Sequence, residues 1–173
     1  MTSQPARVLA ISLRKQSFFD EMYATLLAAL RSKAEFQRAE NSTSAITLLS
    51  QRPEPLAVLI TDEALTLGAS ISVWESVLAY VRGGGTAIVM GHFPSFVRPN
   101  NVEPFFSRAE DMWYNTDNDS VVESLVFAPT SAKVAGETAV ALAKIGEGKM
   151  GYVGDVNAEE GSNAVVLAMC GLL

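Results

Sequence analysis

The stretch Gly83-Gly84-Gly85-Thr86-Ala87-Ile88-Val89-Met90-Gly91-His92-Phe93-Pro94 decides the fold of this chain. The glycines predict the end of a helix, because glycine readily adopts the left-handed conformation at a helix C-terminus. The apolar run from Thr86 to Met90 is typical of a buried strand in a parallel sheet. That strand carries His92, the single histidine of the chain, to its carboxyl end, where open α/β sheets form their ligand crevice.

Further strands are indicated on the amino-terminal side of this stretch. The apolar runs Arg7–Ser12 and Leu56–Thr61 predict buried parallel strands, and Glu35–Ala39 predicts an edge strand. Pro53 and Pro55 close off a short helix that precedes the second of the buried strands. Strand and helix therefore alternate along this half of the chain.

Helix starts are indicated by capping patterns. Ser17-Phe18-Phe19-Asp20 has the spacing of an acidic capping box and predicts a helix from about Phe18, and Ser72-Val73-Trp74-Glu75 predicts a second such start. A short helix is expected between them, from about Ser44 to Gln51. Near the end of the chain, Ser162 is expected to cap a closing helix that Gly171 stops.

The second half contains an aromatic and acidic stretch followed by a predicted hairpin. Phe105–Tyr114 is expected to form a loop over the sheet, and Ser124–Pro129 is a candidate strand. The runs Val140–Ile145 and Met150–Asp155 flank a glycine turn and predict an antiparallel hairpin. The chain is therefore predicted to form a single α/β domain over residues 1–173, a three-layer sandwich with a mostly parallel central sheet and a late antiparallel hairpin.

Composition excludes several classes of partner. The formal net charge is −6 and the pI is near 4.8, so no basic surface is available to neutralise the phosphates of a nucleic acid or of an anionic membrane. No apolar run is long enough to span a bilayer, and the first residues lack the layout of a signal peptide. Cys170 is the single cysteine, which agrees with a reducing compartment. We therefore expect a cytoplasmic protein without nucleic-acid or membrane partners.

His92 is the main candidate for chemistry. An imidazole at a strand end is suited to general acid or base catalysis near neutral pH, and Asp62, Glu63 or Asp155 would be its natural carboxylate partners because their strand ends meet at the same edge of the sheet. We take His92, Asp62 and Asp155 as the candidate catalytic set. The candidate ligand-binding residues are Glu63, Gly91, Phe93, Asn157 and Trp113. The alternatives are a histidine that only hydrogen-bonds a loop and acidic residues that cap the segment after the strand.

The sequence predicts no cofactor and no metal. The glycine triplet lacks the lysine and the serine or threonine of a phosphate loop, and it precedes a strand where a phosphate loop would open a helix. A single histidine gives no zinc spacing, which leaves a hard-cation site from Asp62, Asp155 and Glu159 as the remaining alternative. The aromatic residues around Trp113-Tyr114 are expected to form a half-exposed patch.

The strand–helix units, the strand that ends in Gly91-His92 and the hairpin Gly146–Asp155 resemble the class I glutamine amidotransferase-like superfamily, and within it the ThuA-like branch. The segment Ala139–Leu173 also resembles a group of uncharacterised fungal proteins. The resemblance implies an amidotransferase-like domain with a flavodoxin-like sheet, and it implies a homodimer, because superfamily members commonly dimerise.

The catalytic residues of that superfamily are missing here. Its active members place a cysteine in a Gly-x-Cys-x-Gly elbow and pair it with a late histidine beside a glutamate, whereas this chain reads Gly91-His92-Phe93-Pro94-Ser95 and has no later histidine. We therefore expect a module that binds a small polar ligand or a protein partner. The alternative is a hydrolase or isomerase that acts on a small, sugar-like substrate with His92 as general acid or base.

Overall fold

The structure, a computed structural model, describes residues 5–109 and 140–173. Its strands are β1 (Arg7–Ile11), β2 (Glu35–Ala39), β3 (Ala57–Ile60), β4 (Thr86–Val89), β5 (Val140–Ile145) and β6 (Gly148–Val153). They form one sheet in the order β2-β1-β3-β4-β6-β5. All neighbouring pairs are parallel except β5 and β6, which pair antiparallel. The parallel part follows the flavodoxin-like strand order.

The helices are α1 (Phe19–Met22), α2 (Ala24–Lys33), α3 (Ser42–Ser50), α4 (Ile71–Arg82), α5 (Phe93–Phe96), α6 (Pro99–Ser107) and α7 (Glu160–Met169). Two short 3-10 turns, Glu63–Thr66 and Gly68–Ser70, lead from β3 into α4. In residues 5–109 and 140–173, no helix combines the length and the hydrophobicity that crossing a bilayer requires.

The strands are apolar on both faces, and each face packs against its own helix layer. In β1, Leu9 and Ile11 belong to the cluster that contains the buried side chains of α3 and α4, including Trp74. Val8 and Ala10 point to the opposite face and pack with buried residues of α2 and α7. This alternation follows from the two-residue period of a strand. It confirms the predicted three-layer α/β sandwich with a mostly parallel sheet and a late antiparallel hairpin.

The glycine triplet ends α4 as expected. Gly83 is the C-cap of α4, and Gly84 has a φ of +116°, which favours glycine. Gly85 faces the ring of Tyr80, which a Cβ at this position would approach to 2.3 Å. The Tyr80 hydroxyl accepts a hydrogen bond from the amide of Thr86, so this turn also fixes the first residue of β4.

Three of the predicted helix caps are wrong. No side chain caps α1, whose N-cap is Phe18. The helix α4 begins at Ile71, ahead of Ser72, because two 3-10 turns already bring the chain into helical geometry. Similarly, α7 begins at Glu160, ahead of Ser162. A side-chain cap does form at α3, where Oδ1 of Asn41 accepts a hydrogen bond from the amide of Ser44.

The predicted strand Ser124–Pro129 and the predicted patch at Trp113-Tyr114 lie outside the described residues.

Candidate functional site

The candidate site lies at the carboxyl edge of the sheet. Strand order reverses between β1 and β3, since α2 and α3 pack on opposite faces, and ligands of open sheets bind at such a reversal. Here the two strand ends are joined by side chains. Ser12 Oγ and Thr61 Oγ1 lie 2.7 Å apart, and Thr61 Oγ1 also donates to the carbonyl oxygen of Ile11. The reversal point is therefore closed by buried hydrogen bonds.

His92 follows β4 at this edge and is buried, with 3% of its surface exposed. Its amide donates to the carbonyl oxygen of Thr61, which extends the pairing of β3 with β4 by one step. Aromatic rings surround the imidazole. Their centroids lie 5.0 Å (Phe18), 5.2 Å (Phe19), 5.7 Å (Phe96) and 5.8 Å (Tyr23) from that of His92.

The ring nitrogens of His92 have an apolar environment. Nε2 lies 3.5 Å from the sulfur of Met22, and Nδ1 is buried and has no hydrogen-bond partner. Burial lowers the pKa of His92 below its usual 6.5, and the negative charge of Glu63 opposes this effect. In the described part of the chain, His92 forms no hydrogen bond or ion pair with a carboxylate.

Asp62, a predicted catalytic residue, acts as a cap in the structure. It is the N-cap of the first 3-10 turn after β3. Oδ1 accepts a hydrogen bond from the amide of Ala64 at 3.0 Å, and Oδ2 accepts one from the amide of Arg14 at 2.8 Å. Burial raises the pKa of Asp62 and these two amides oppose that rise. Asp62 therefore caps the segment that follows β3, which was the alternative interpretation of this residue.

Glu63 is buried beside Asp62, and one of its two carboxylate oxygens has a partner. Oε1 lies 3.2 Å from Nη1 of Arg14, whose side chain is largely exposed. Oε2 is buried without a hydrogen-bond partner. Glu63 is therefore the acidic side chain of this edge that retains an unused buried acceptor.

Asp155, the third predicted catalytic residue, organises the loop between β6 and α7. Oδ1 accepts a hydrogen bond from the amide of Asn157, and Oδ2 accepts one from the amide of Glu159, both at 2.7 Å. Asn157 itself is exposed. Both carboxylate oxygens are thus engaged with the backbone, as in an Asx turn.

A cavity of about 10 Å³ lies between this loop and the amino-terminal helices. Its lining residues are Tyr23, Met90, Gly91, Val153, Asp155, Ser162, Asn163 and Val166. Pockets that bind drug-sized molecules are on the order of 300–1,000 Å³, so this cavity is far too small for a sugar.

The remaining predicted ligand-binding residues have structural contacts. Gly91 has a φ of +68°, and a Cβ there would lie 3.0 Å from the carbonyl oxygen of Thr61, so glycine is needed for the backbone. Phe93 is buried in the core and its ring packs against that of Phe105, which leaves it no surface for a ligand. Trp113 lies outside the described residues.

Cys170 and His92 lie at the ends of different helices. Cys170 caps the C-terminus of α7, is buried, and burial raises the pKa of its thiol to about 12. Its charge would act on Tyr80, whose hydroxyl donates to the carbonyl oxygen of Pro55 ahead of β3. The thiol therefore belongs to the amino edge of the sheet, and His92 to the carboxyl edge.

Sequence reasoning missed the residues that contact the imidazole. The sequence patterns did not predict that Phe19, Met22 and Tyr23 contact His92. The available signal is topological: the segment after β1 lies over the same sheet edge as the segment after β4. Among the described residues, no group of three or more His, Cys, Asp or Glu is placed to hold a metal ion.

No protein-family model matches the chain, and no curated protein matches it. Among solved structures, the chain is similar to a polyextremophilic β-galactosidase from the Antarctic haloarchaeon Halorubrum lacusprofundi, with 14% sequence identity and a TM-score of 0.49. The similarity covers 98% of this chain and 31% of the β-galactosidase chain. The chain thus spans about a third of the length of that protein.

Proposed function

We propose that this chain is an amidotransferase-like domain without the cysteine–histidine pair, and that it functions by binding a protein partner at the surface around His92. The observation that carries the proposal is the state of the expected catalytic groups. The carboxylates of Asp62 and Asp155 are engaged by backbone amides, and His92 is buried without a carboxylate to orient it. General base catalysis requires an oriented base within reach of a substrate.

Two exposed phenylalanines support a binding surface at this position. Phe18 is 48% exposed and Phe96 is 42% exposed, and both rings contact the imidazole of His92. Aromatic side chains are enriched in the centres of protein interfaces. The buried imidazole packs against both phenylalanine rings and so forms the base of this surface.

The partner that we propose is a second copy of the chain, because members of the superfamily that it resembles commonly dimerise. An isologous dimer would bring the same aromatic surface of each copy together. The cavity that Asp155 lines has room for about one water molecule, so this cavity does not itself hold a small polar ligand.

Sedimentation velocity over a range of protein concentrations tests the proposal. We expect the wild-type chain to form a dimer, and a Phe18→Ser, Phe96→Ser double variant to weaken the dimer by at least about tenfold, which corresponds to the loss of about 1.4 kcal/mol. Leu56→Ser is the matched control, because Leu56 is 41% exposed and lies just before β3, at the opposite edge of the sheet. A wild-type chain that remains monomeric, or equal losses in both variants, contradicts the proposal.

One observation favours the enzyme as a second candidate. Nδ1 of His92 is unpartnered and the lowered pKa keeps the imidazole neutral at pH 7, which is the form that a general base requires. Turnover of a panel of small polar and sugar-like substrates, measured for the wild-type chain and for His92→Gln, separates the candidates. Turnover that His92→Gln abolishes supports the enzyme and contradicts a purely binding function.

A further inference from the structure

The cavity at the β6–α7 loop is a site that the proposed function does not use. It joins three parts of the molecule: the break between α1 and α2 at Tyr23, the end of β4 at Gly91, and the loop that contains Asp155. Its volume of about 10 Å³ is close to the lower limit for one water molecule.

Tyr23 contributes a buried hydroxyl without a partner. Tyr23 is 3% exposed, lines the cavity, and its hydroxyl forms no hydrogen bond in the structure. Burial raises its pKa to about 12, and the charge of Asp155 adds to this rise, which agrees with a hydroxyl that faces Asp155 across the cavity. An unsatisfied buried hydroxyl is costly, so such groups in folded proteins usually have a bound water as partner.

The opposite wall supplies the acceptors that a water molecule needs. Asp155, Ser162 and the buried Asn163 line the cavity together with Tyr23. A buried water typically forms two to four hydrogen bonds. We infer that the cavity binds one water molecule, which accepts a hydrogen bond from the Tyr23 hydroxyl and donates hydrogen bonds to the Asp155 carboxylate and to a side-chain oxygen of Ser162 or Asn163.

The surroundings favour water over a monovalent cation of similar size. Each oxygen of the Asp155 carboxylate already accepts a backbone amide at 2.7 Å, which offsets part of its negative charge. Ser162 and Asn163 belong to the first turn of α7, where the helix dipole is positive and disfavours a cation. A neutral ligand that both donates and accepts suits this site.

The bound water connects the β6–α7 loop to the helices that surround the candidate site. The ring of Tyr23 packs against that of Phe19, with centroids 4.7 Å apart, and against that of His92. A water molecule bound to the Tyr23 hydroxyl therefore links the β6–α7 loop to the aromatic residues that surround His92. This role is independent of whether the surface binds a partner.

The direction in which Tyr23→Phe shifts the thermal midpoint of unfolding tests the inference. If water is bound, Tyr23→Phe removes a hydrogen bond and is expected to lower the thermal midpoint by about 2–4 °C. If the cavity is dry, the same change removes an unsatisfied hydroxyl and leaves the midpoint unchanged or higher. Tyr152→Phe is the control, because Tyr152 is half-buried in β6 and does not line the cavity.

Two further measurements separate water from an ion. A crystal structure of the wild-type chain is expected to show a single peak within hydrogen-bond distance of the Tyr23 hydroxyl, and this peak is expected to be absent in Tyr23→Phe. Thermal midpoints in sodium chloride and in choline chloride of equal ionic strength are expected to agree. A sodium-dependent stabilisation that Tyr23→Phe abolishes would show a cation site and overturn the inference, and so would an empty cavity.

Discussion

The sulfur of Met22 lies 3.5 Å from Nε2 of His92, and it is the polar contact that the described residues give to this imidazole. Because a thioether can only accept a hydrogen bond, this contact is a hydrogen bond only when the ring proton is on Nε2. We expect that tautomer, which leaves Nδ1 as a bare, buried acceptor. The neighbouring aromatic rings bury the imidazole, and Nδ1 has no hydrogen-bond partner. The neutral form of His92 is therefore the form that the fold stabilises.

The pH dependence of stability follows from this environment. The pKa of His92 is lowered in the folded chain, so the unfolded chain binds more protons and the free energy of unfolding falls as the pH drops below about 6.5. We expect the wild-type chain to lose more stability than His92→Gln between about pH 7 and about pH 5. Urea unfolding at several pH values measures the difference. Equal losses in both chains would show that His92 does not titrate differently on folding.

The thiol of Cys170 is expected to be unreactive in the folded chain. It is buried with a pKa raised to about 12, and the thiolate is the form that reacts with alkylating reagents. Iodoacetamide at pH 8 is expected to modify the native chain slowly and the urea-unfolded chain readily. Since Cys170 is the single cysteine, mass spectrometry reports this site alone. Rapid modification of the native chain would contradict the burial of the Cys170 thiol.

Gly148 is a position at which the fold tolerates no side chain. A Cβ there would lie 2.0 Å from the carbonyl oxygen of Val81 in α4 and 2.2 Å from that of Gly85 in the turn before β4, and these are backbone atoms, which have little room to move. Gly148→Ala is expected to cost at least about 1–3 kcal/mol. Gly161→Ala is the control, because Gly161 lies in α7 with open space around it. Denaturant unfolding of both variants checks the prediction, which fails if the two changes are equally mild.

Asp62 is expected to stabilise the fold by capping the 3-10 turn that follows β3. Asp62→Ala removes the acceptor of the Ala64 and Arg14 amides and is expected to cost about 0.5–2 kcal/mol. Glu54→Ala serves as the control, because this exposed carboxylate lies in the loop before β3, at the opposite edge. If Asp62→Ala leaves the free energy of unfolding unchanged, the cap is not its main contribution.

Sequence patterns predicted the architecture because the sheet is encoded locally. The runs Arg7–Ser12 and Leu56–Thr61 contain the observed strands β1 and β3, since a buried strand requires a short continuous apolar or β-branched segment. The end of α4 was predictable from the glycine triplet, because the chain leaves the helix with a φ above zero at Gly84, and glycine favours that conformation.

The candidate site was predicted less well because side-chain partners are set by tertiary contacts. Asp62 and Asp155 were expected beside His92, and both instead accept backbone amides within their own strand-end loops or from the loop after β1. A carboxylate at a strand end meets these amides first, since they lie two or four residues away or in the loop after the adjacent strand. The position of His92 was predictable from the strand, whereas its aromatic surroundings depend on how α1 packs over the sheet.

A nuclear magnetic resonance titration of the single imidazole tests whether His92 is buried, neutral and without a carboxylate partner, which is the state from which the proposed function is argued. We expect a pKa below 6.5 and the proton on Nε2. We also expect Glu63→Gln to lower the pKa further, because the charge of Glu63 raises it. A proton on Nδ1 shared with a carboxylate would show an oriented base and contradict the binding domain proposed here, and a pKa at or above 6.5 would contradict the burial of His92 from which that proposal is argued.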